Sequence, residues 1–257
     1  MLGSTSHAWT DDVFLGDRLE IRQPVRGYRA GVDAVLLAAT VVAETIPTPS
    51  VLDAGAGVGV VGLCIAARVP EARVALVERE AELVELASHN VAANGLQDRV
   101  RVMRASITEP LRGEILAALP ADSFTHVLAN PPFHDDQRGT AARSALKAAA
   151  HAMPEGDLEM WVKFMARMTA PGGTATLIHK AEALPRVLEV FEGRFGGIYV
   201  KPVQARANEP AIRVIVSGRK GSRAPLTLRC PCVLHGEGNA FSAEAEAILR
   251  YGAPLIL

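Results

Sequence analysis

The residues best suited to chemistry in this sequence are Asn130-Pro131-Pro132-Phe133. The Asn130 side-chain carbonyl and the Pro131 backbone carbonyl can accept the two N–H bonds of a planar amino group, which holds its delocalised lone pair in line for reaction. The two prolines lack backbone donors and stiffen the loop, and the Phe133 ring can stack on a flat base. The motif therefore predicts a site that positions a planar amine by hydrogen bonding, without a metal or a covalent intermediate.

A second chemically suggestive stretch is Val51–Gly62. A short β-type run ends at Asp53, glycines follow at alternate positions, and a helical pattern then resumes. Glycine permits unusual backbone dihedrals and close approach of a ligand, and the first turn of a helix presents unpaired N–H groups. The stretch predicts a strand, a cofactor-binding turn and a helix.

Two cofactors could use this turn. Gly57–Gly62 matches the dinucleotide pattern G-x-G-x-x-G, and Glu78 follows at about the expected distance of 20 residues. The alternation of Asp53–Gly59 instead resembles the first motif of S-adenosylmethionine (SAM)-dependent methyltransferases. The spacing alone does not separate a dinucleotide-binding domain from a methyltransferase, whereas the Asn-Pro-Pro-Phe motif favours the methyltransferase.

The combined motifs resemble class I SAM-dependent N-methyltransferases, and among them the bacterial tRNA adenine-N6 methyltransferase family, which acts on an adenine beside the anticodon of a valine tRNA. The resemblance covers roughly residues 14–220. It rests on four segments, Gly31–Leu37, Asp53–Gly59, Val77–Glu80 and Asn130–Phe133.

This resemblance implies that SAM is the cofactor and that structured RNA, preferably tRNA, is the substrate. Glu78 would hold the ribose hydroxyls of SAM, Gly31 and Asp33 would close the methionine end of its pocket, and the Asn130–Phe133 motif would orient the target amine. The SAM-binding residues implied are Gly31, Asp33, Asp53, Ala54, Gly55, Gly57, Gly59, Glu78, Arg79, Ser106, Ile107 and Asn130.

Two positions depart from the family pattern. Ser106 stands where an acid usually contacts the adenine amino group of SAM, although a hydroxyl can also accept a hydrogen bond. Phe133 stands where adenine-N6 enzymes often have Tyr, and Phe133 followed by His134 also resembles ribosomal RNA guanine-N2 methyltransferases. A guanine N2 in rRNA, a protein glutamine amide and a small molecule therefore stay open as alternative substrates.

Strand-like and helical segments alternate along the chain, which predicts a doubly wound α/β fold with a mostly parallel, Rossmann-like sheet of seven strands. In such sheets ligands bind beyond the carboxyl ends of the strands, so one pocket can contain the glycine turn, Glu78 and Asn130. We predict one domain, with residues 1–46 as an N-terminal extension and capping helix, 47–220 as the SAM-binding core and 221–257 as a C-terminal addition. The strands are expected at 51–53, 73–78, 100–103, 124–129, 174–179, 197–203 and 212–217.

Composition narrows the class of protein. Apolar residues make up 49% and charged residues 21% of the 257 residues, as in soluble globular proteins. Neither a secretory signal nor an uncharged apolar run of about 18 residues is present, so we expect a cytoplasmic protein that does not enter a membrane. The three cysteines and the irregularly spaced histidines are interpreted as structural, with no metal site. The oligomeric state is not indicated.

The net charge of −1 conceals a local basic cluster. Between Arg194 and Arg229 there are eight Lys or Arg residues and one acid. Such a cluster is either a solvated surface or a set of phosphate contacts. If RNA is the substrate, Arg206, Arg213 and Arg219 are the expected contacts. The segment His134–Gly156 is predicted to be a mobile loop.

Overall fold

The computed structural model describes residues 9–27, 29–42, 48–132 and 157–257. Its strands are β1 Trp9–Phe14, β2 Leu19–Pro24, β3 Ser50–Ala54, β4 Arg73–Glu78, β5 Val100–Arg104, β6 Phe124–Ala129, β7 Thr169–Lys180, β8 Phe195–Arg206, β9 Ala211–Lys220, β10 Thr227–Leu228 and β11 Cys232–His235. Its α-helices are α1 Val32–Ala39, α2 Val60–Arg68, α3 Ala81–Ala93, α4 Gly113–Ala118, α5 Asp157–Met168, α6 Leu184–Phe191 and α7 Ala243–Tyr251.

The central sheet confirms the predicted α/β class. Its strands lie in the order β10-β8-β9-β7-β6-β3-β4-β5, and β11 also pairs with β8. All pairs are parallel except those of β9 with β7 and β8. The seven predicted strands are β3–β9. Two short strands from residues 221–257 extend this sheet to nine by pairing in parallel with β8.

Apolar side chains cover both faces of the sheet because neighbouring residues in a strand point to opposite sides. Val51 of β3 packs in one core cluster, together with α1 and α2. Leu52, the next residue, packs in a second cluster with α5 and α6. A strand that is buried on both faces reads as a nearly continuous apolar run, which is why β3, β4 and β6 were recognisable in the sequence.

The strand expected at residues 174–179 is longer than predicted and includes a Pro171-Gly-Gly173 segment. Strand β7 begins at Thr169, and the Pro-Gly-Gly segment forms an irregularity within its pairing with β6. Gly172 has φ +76°, and a Cβ on Gly173 would lie 2.9 Å from the Thr125 carbonyl oxygen. Glycines here therefore permit a bulge and close backbone approach in the strand.

The C-terminal residues pack on the first two helices of the core. Arg68 of α2 donates to the Gly252 carbonyl and to the Ala38 carbonyl, both at 2.8 Å. The Leu255 N–H donates to the Ala39 carbonyl at 2.8 Å. These contacts agree with a single domain, which stays a prediction.

Within the described ranges, every helix is too short or too polar to cross a bilayer. The same residues contain no group of three or more His, Cys, Asp or Glu side chains arranged to hold a metal ion.

His126 lies in β6, near the middle of the sheet, with Nδ1 2.9 Å from Thr174 Oγ1. Burial, with a smaller effect from the charge of Arg219, lowers the pKa of His126 from 6.5 to about 4. Between these values the unfolded chain binds a proton that the folded chain does not. This residue therefore makes the free energy of unfolding fall as the pH falls through that window.

We expect His126→Gln to remove this contribution to acid sensitivity. The free energy of unfolding of the wild type minus that of the variant should fall by about 3 kcal/mol between pH 7 and pH 4, at 1.36 kcal/mol per pKa unit. Urea unfolding at a series of pH values measures it, and other titrating groups cancel in the difference. A difference independent of pH would contradict the prediction.

Candidate active site

The glycine turn follows β3 directly, as predicted. Gly55, Gly57 and Gly59 have φ values of +67°, +57° and +93°, a region that side-chain-bearing residues rarely adopt. Gly59 is the N-cap of α2, and the Ala56 N–H donates to the Val77 carbonyl of β4 at 2.9 Å. The turn is therefore held in shape by the neighbouring strand.

Glu78, the last residue of β4, forms hydrogen bonds both to this turn and to the residues that follow β4. Its carboxylate accepts hydrogen bonds from the N–H groups of Gly57 at 2.9 Å, Arg79 at 2.8 Å and Glu80 at 3.0 Å. The side chain is buried, with 8% exposed. A carboxylate offers about four acceptor positions, so one more is available to a ligand hydroxyl.

Asp53 lies behind the turn, on the α2 side of the sheet. Its Oδ2 accepts a hydrogen bond from the Gly62 N–H at 3.0 Å, and only 1% of the residue is exposed. Burial raises the pKa of Asp53 to about 7; the Gly62 hydrogen bond lowers it, and the charge of Glu78 adds to the rise. The carboxylate therefore connects the end of β3 to the first turn of α2. Its predicted role in binding SAM stays a prediction.

Gly62 allows α2 to approach the sheet closely. A Cβ at this position would lie 2.2 Å from Leu76 Cδ2 and 2.9 Å from Val74 Cγ1. Gly55 is similarly constrained from the opposite face, because a Cβ there would lie 2.2 Å from Trp161 Cη2 on α5. Trp161 is 8% exposed, so it packs under the turn as a core residue.

We expect Gly62→Ala to lower the free energy of unfolding by about 1–3 kcal/mol, because the added methyl group overpacks the interface between α2 and β4. Gly236→Ala is the matched control, since nothing lies within 4 Å of a Cβ there and its φ is not positive. Urea unfolding of both variants measures the effect. Equal stability of the two variants would contradict this packing role.

The Asn-Pro-Pro segment follows β6, and β6 pairs in parallel with β3. Ala54 and Ala129, the last residues of these strands, are direct partners. Asn130 therefore leaves the sheet beside Gly55, at about the 4.8 Å spacing of neighbouring strands. Asn130 and Pro132 are half-buried and Pro131 is buried. Phe133 and the predicted mobile loop that follows it lie outside the described residues.

Three further residues predicted to bind SAM lie one or two strands further along the same edge. Arg79 is exposed and pairs with Glu80, Nε to Oε1 at 2.9 Å. Ser106 and Ile107 follow β5 and are half-buried, and the Ser106 hydroxyl lies 3.0 Å from that of Thr108. The carboxyl ends of β6, β3, β4 and β5 thus bring most predicted site residues onto one edge of the sheet.

Gly31 and Asp33 lie at the start of α1. Gly31 is the exposed N-cap of α1. Asp33 Oδ2 accepts a hydrogen bond from Arg213 Nε of β9 at 2.9 Å. This carboxylate is therefore engaged by a cation three strands away from β3, which the spacing of the sequence did not indicate.

The three arginines expected to contact RNA all make contacts within the protein. Arg206 donates to backbone carbonyls of the loop after β11, including that of Gly236 at 3.2 Å. Arg219 donates to the Gly172 carbonyl at 3.1 Å, and Arg213 pairs with Asp33. Arg206 and Arg219 therefore connect loops of the fold, and the contact of the three arginines with RNA stays a prediction.

Asn90 is a positioning residue that the sequence analysis missed. Its Oδ1 accepts from the Arg22 N–H of β2 at 2.8 Å, and its Nδ2 donates to the Val58 carbonyl in the glycine turn at 3.0 Å. Asn94, the C-cap of α3 one helical turn later, bonds both backbone groups of Glu20. Asn90 lies inside the helix, a poor setting for this residue, and this was the available signal.

Residues 31–171, more than half of the chain, match the family described as methyltransferase small domain. A curated relative from Porphyromonas gingivalis, a tRNA1(Val) (adenine(37)-N6)-methyltransferase, is 33% identical over 126 residues, 48% of each chain. A ribosomal RNA small subunit methyltransferase C from Salmonella choleraesuis is 31% identical over 108 residues, 41% of this chain and 28% of the relative. The chain spans about half the length of the first curated relatives it matches.

A crystal structure of an Agrobacterium tumefaciens protein, described as a predicted O-methyltransferase, superposes with a TM-score of 0.71 and 28% identity. That match covers 88% of this chain and 99% of the other, so the similarity extends well beyond residues 31–171. Because the family match spans the candidate site from Gly31 to Pro132, the chain belongs to the methyltransferase small domain family.

Proposed function

We propose that this protein is a SAM-dependent methyltransferase that methylates the exocyclic N6 of an adenine in tRNA. The observation that carries the proposal is the pairing of β3 with β6, which sets the glycine turn beside the Asn-Pro-Pro segment. Direct transfer of a methyl group requires the cofactor and the target amine to be bound side by side. A cofactor-binding turn and an amine-orienting loop on neighbouring strands meet this requirement.

The residues along this edge suit SAM. Glu78 is buried and keeps one acceptor position for a ribose hydroxyl, and the left-handed glycines leave the turn without side chains toward the cofactor. Ser106, after β5, would accept a hydrogen bond from the adenine amino group. Membership of a methyltransferase family favours SAM over the dinucleotide that the G-x-G-x-x-G pattern also matches.

The chain's own contribution to the reaction is positioning. SAM supplies an electrophilic methyl group on a sulfonium. The Asn130 carbonyl and the Pro131 carbonyl would accept the two N–H bonds of the target amine, which localises its lone pair and points it at that methyl group. The bond from that methyl carbon to sulfur would break as the bond to nitrogen forms, and the methylated nitrogen would lose one proton to water, so no side chain would be required as a nucleophile.

The relatives support RNA as the substrate class, because two of them are described as acting on tRNA and rRNA. The rRNA relative makes a base in ribosomal RNA the second candidate. Either base must be splayed out of its helix to reach the site. A tRNA substrate implies a cytoplasmic enzyme, and this location belongs to the same proposal.

Incubation of the purified protein with tritiated SAM and separate pools of tRNA, rRNA and protein tests the proposal. The pools should come from a strain that lacks this gene, so that the target sites are unmodified. We expect label in the tRNA pool. Label only in protein, or calorimetric binding of NAD without binding of SAM, would overturn the assignment.

A further inference from the structure

Two buried amide side chains hold the N-terminal hairpin against the candidate site. Asn90 of α3 and Gln23 of β2 are 0% and 1% exposed. Buried amides need hydrogen-bond partners within the protein, so the partners of these two side chains show what each of them holds in place. Neither residue is among those that the resemblance implied for SAM binding.

Asn90 joins β2 to the glycine turn. Its Oδ1 accepts from the Arg22 N–H at 2.8 Å, and its Nδ2 donates to the Arg22 carbonyl at 3.1 Å. The amide therefore pairs with β2 as a neighbouring strand would. Nδ2 also donates to the Val58 carbonyl at 3.0 Å. Because Val58 lies between Gly57 and Gly59, this bond holds the turn itself.

Gln23, the next residue of β2, joins this strand to the start of α1. Its Oε1 accepts from the Ala30 N–H at 2.8 Å, and its Nε2 donates to the Ala30 carbonyl at 3.4 Å. Nε2 also donates to Asp12 Oδ2 of β1 at 3.1 Å. Ala30 directly precedes Gly31, the N-cap of α1. Gln23 therefore ties the residue before α1 to the hairpin.

These contacts form a continuous path between two parts of the predicted SAM pocket. The path runs from the glycine turn through Asn90 to β2, and from β2 through Gln23 to Ala30. The turn is expected to line the pocket, and Gly31 is expected to close its methionine end. Because hydrogen bonds restrict both distance and angle, the path sets the separation of these two parts.

We propose that Asn90 and Gln23 are positioning residues that set the glycine turn and the start of α1 at the separation that the methionine part of SAM requires; this rests on the proposed function. Neither side chain needs to touch the cofactor, because each acts through the backbone that it holds. A pocket that is already formed does not have to be ordered when its ligand binds, and this preorganisation increases affinity.

Calorimetric titration with SAM tests the proposal. We expect Asn90→Ala to raise the dissociation constant about tenfold, because the turn would then have to be ordered as the cofactor binds. Asn94→Ala is the matched control. Asn94 bonds both backbone groups of Glu20 in β2, and none of its contacts within the described residues reaches the glycine turn. This variant should keep the wild-type SAM affinity.

Gln23→Met tests the other half of the path, since it nearly keeps the side-chain volume and removes the bonds to Ala30. We expect a similar loss of SAM affinity. If the two residues act along one path, the double variant should lose less affinity than the product of the two single losses. Losses that multiply independently would contradict a single path.

Amide hydrogen exchange of peptides that cover residues 55–62 gives a readout without any ligand. Exchange there should become faster in Asn90→Ala and stay unchanged in Asn94→Ala, because only the first variant releases the Val58 carbonyl. Thermal unfolding checks that each variant is folded. If Asn90→Ala does not fold, the SAM affinity of Gln23→Met decides the question.

Unchanged SAM affinity and exchange in folded Asn90→Ala, or unchanged SAM affinity in folded Gln23→Met, would overturn the proposal. Equal losses of SAM affinity in Asn90→Ala and Asn94→Ala would also overturn it, because general packing of α3 on β2 would then explain both. A wild type that binds SAM and labels no RNA would contradict the proposed substrate alone. A wild type that does not bind SAM would overturn both proposals.

Discussion

Asn130→Ala should lower kcat by about 100- to 1,000-fold and leave the dissociation constant for SAM nearly unchanged. The variant loses the carbonyl that holds and polarises the target amine, and loss of one oriented hydrogen-bonding group at a reacting centre typically costs this much. Asn130 follows β6 beside the glycine turn and is not part of that turn. Single-turnover methylation and calorimetric titration with SAM separate the two quantities.

Asn130→Asp is the matched control, because its carboxylate keeps an acceptor oxygen in nearly the same position. We expect this variant to retain most of the activity that Asn130→Ala loses. Equal activity of Asn130→Ala and the wild type would mean that the amine is oriented by other residues.

Glu78→Ala should weaken SAM binding by about 100-fold, which corresponds to about 2.7 kcal/mol. The variant removes the ribose acceptor and also leaves the N–H groups of Gly57, Arg79 and Glu80 without their partner. Unsatisfied buried donors are costly, so the free energy of unfolding should fall as well. Titration calorimetry and urea unfolding measure the two effects.

Glu80→Ala provides the comparison for Glu78→Ala. Glu80 is two residues away, and its side chain is 54% exposed and paired only with Arg79 among the contacts described here. We expect near wild-type SAM affinity and stability for this variant. If both substitutions weaken SAM binding equally, the affinity depends on negative charge near the end of β4 and not on the Glu78 carboxylate in particular.

The parts of the fold that follow from local pattern were predictable. The bounds of β4 and β6 agree with the expectation because each is an apolar run bounded by polar or turn residues. The glycine turn was recognisable since alternate glycines have few other uses between a strand and a helix. The alternation of strands and helices predicts a parallel sheet, and the carboxyl ends of parallel strands lie at one edge, so the shared location of the site residues was predictable as well.

Contacts between distant residues were not predictable. Asp33 and Arg213 are 180 residues apart, and nothing in either local sequence specifies the other. Strands β10 and β11 are two and four residues long, too short to show a period. The direction of the Asp53 side chain could have been predicted from the alternation of side chains along a strand. Leu52 and Ala54 pack in one core cluster, so Asp53 between them points to the opposite face, toward α2.

Mass spectrometry of nucleosides from tRNA incubated with SAM and the purified protein shows which atom receives the methyl group. The tRNA should come from a strain that lacks the gene, with Asn130→Ala as the parallel sample. We expect new N6-methyladenosine with the wild type and almost none with the variant. A methyl group on a ribose or ring carbon, or equal yields from the two proteins, would contradict it.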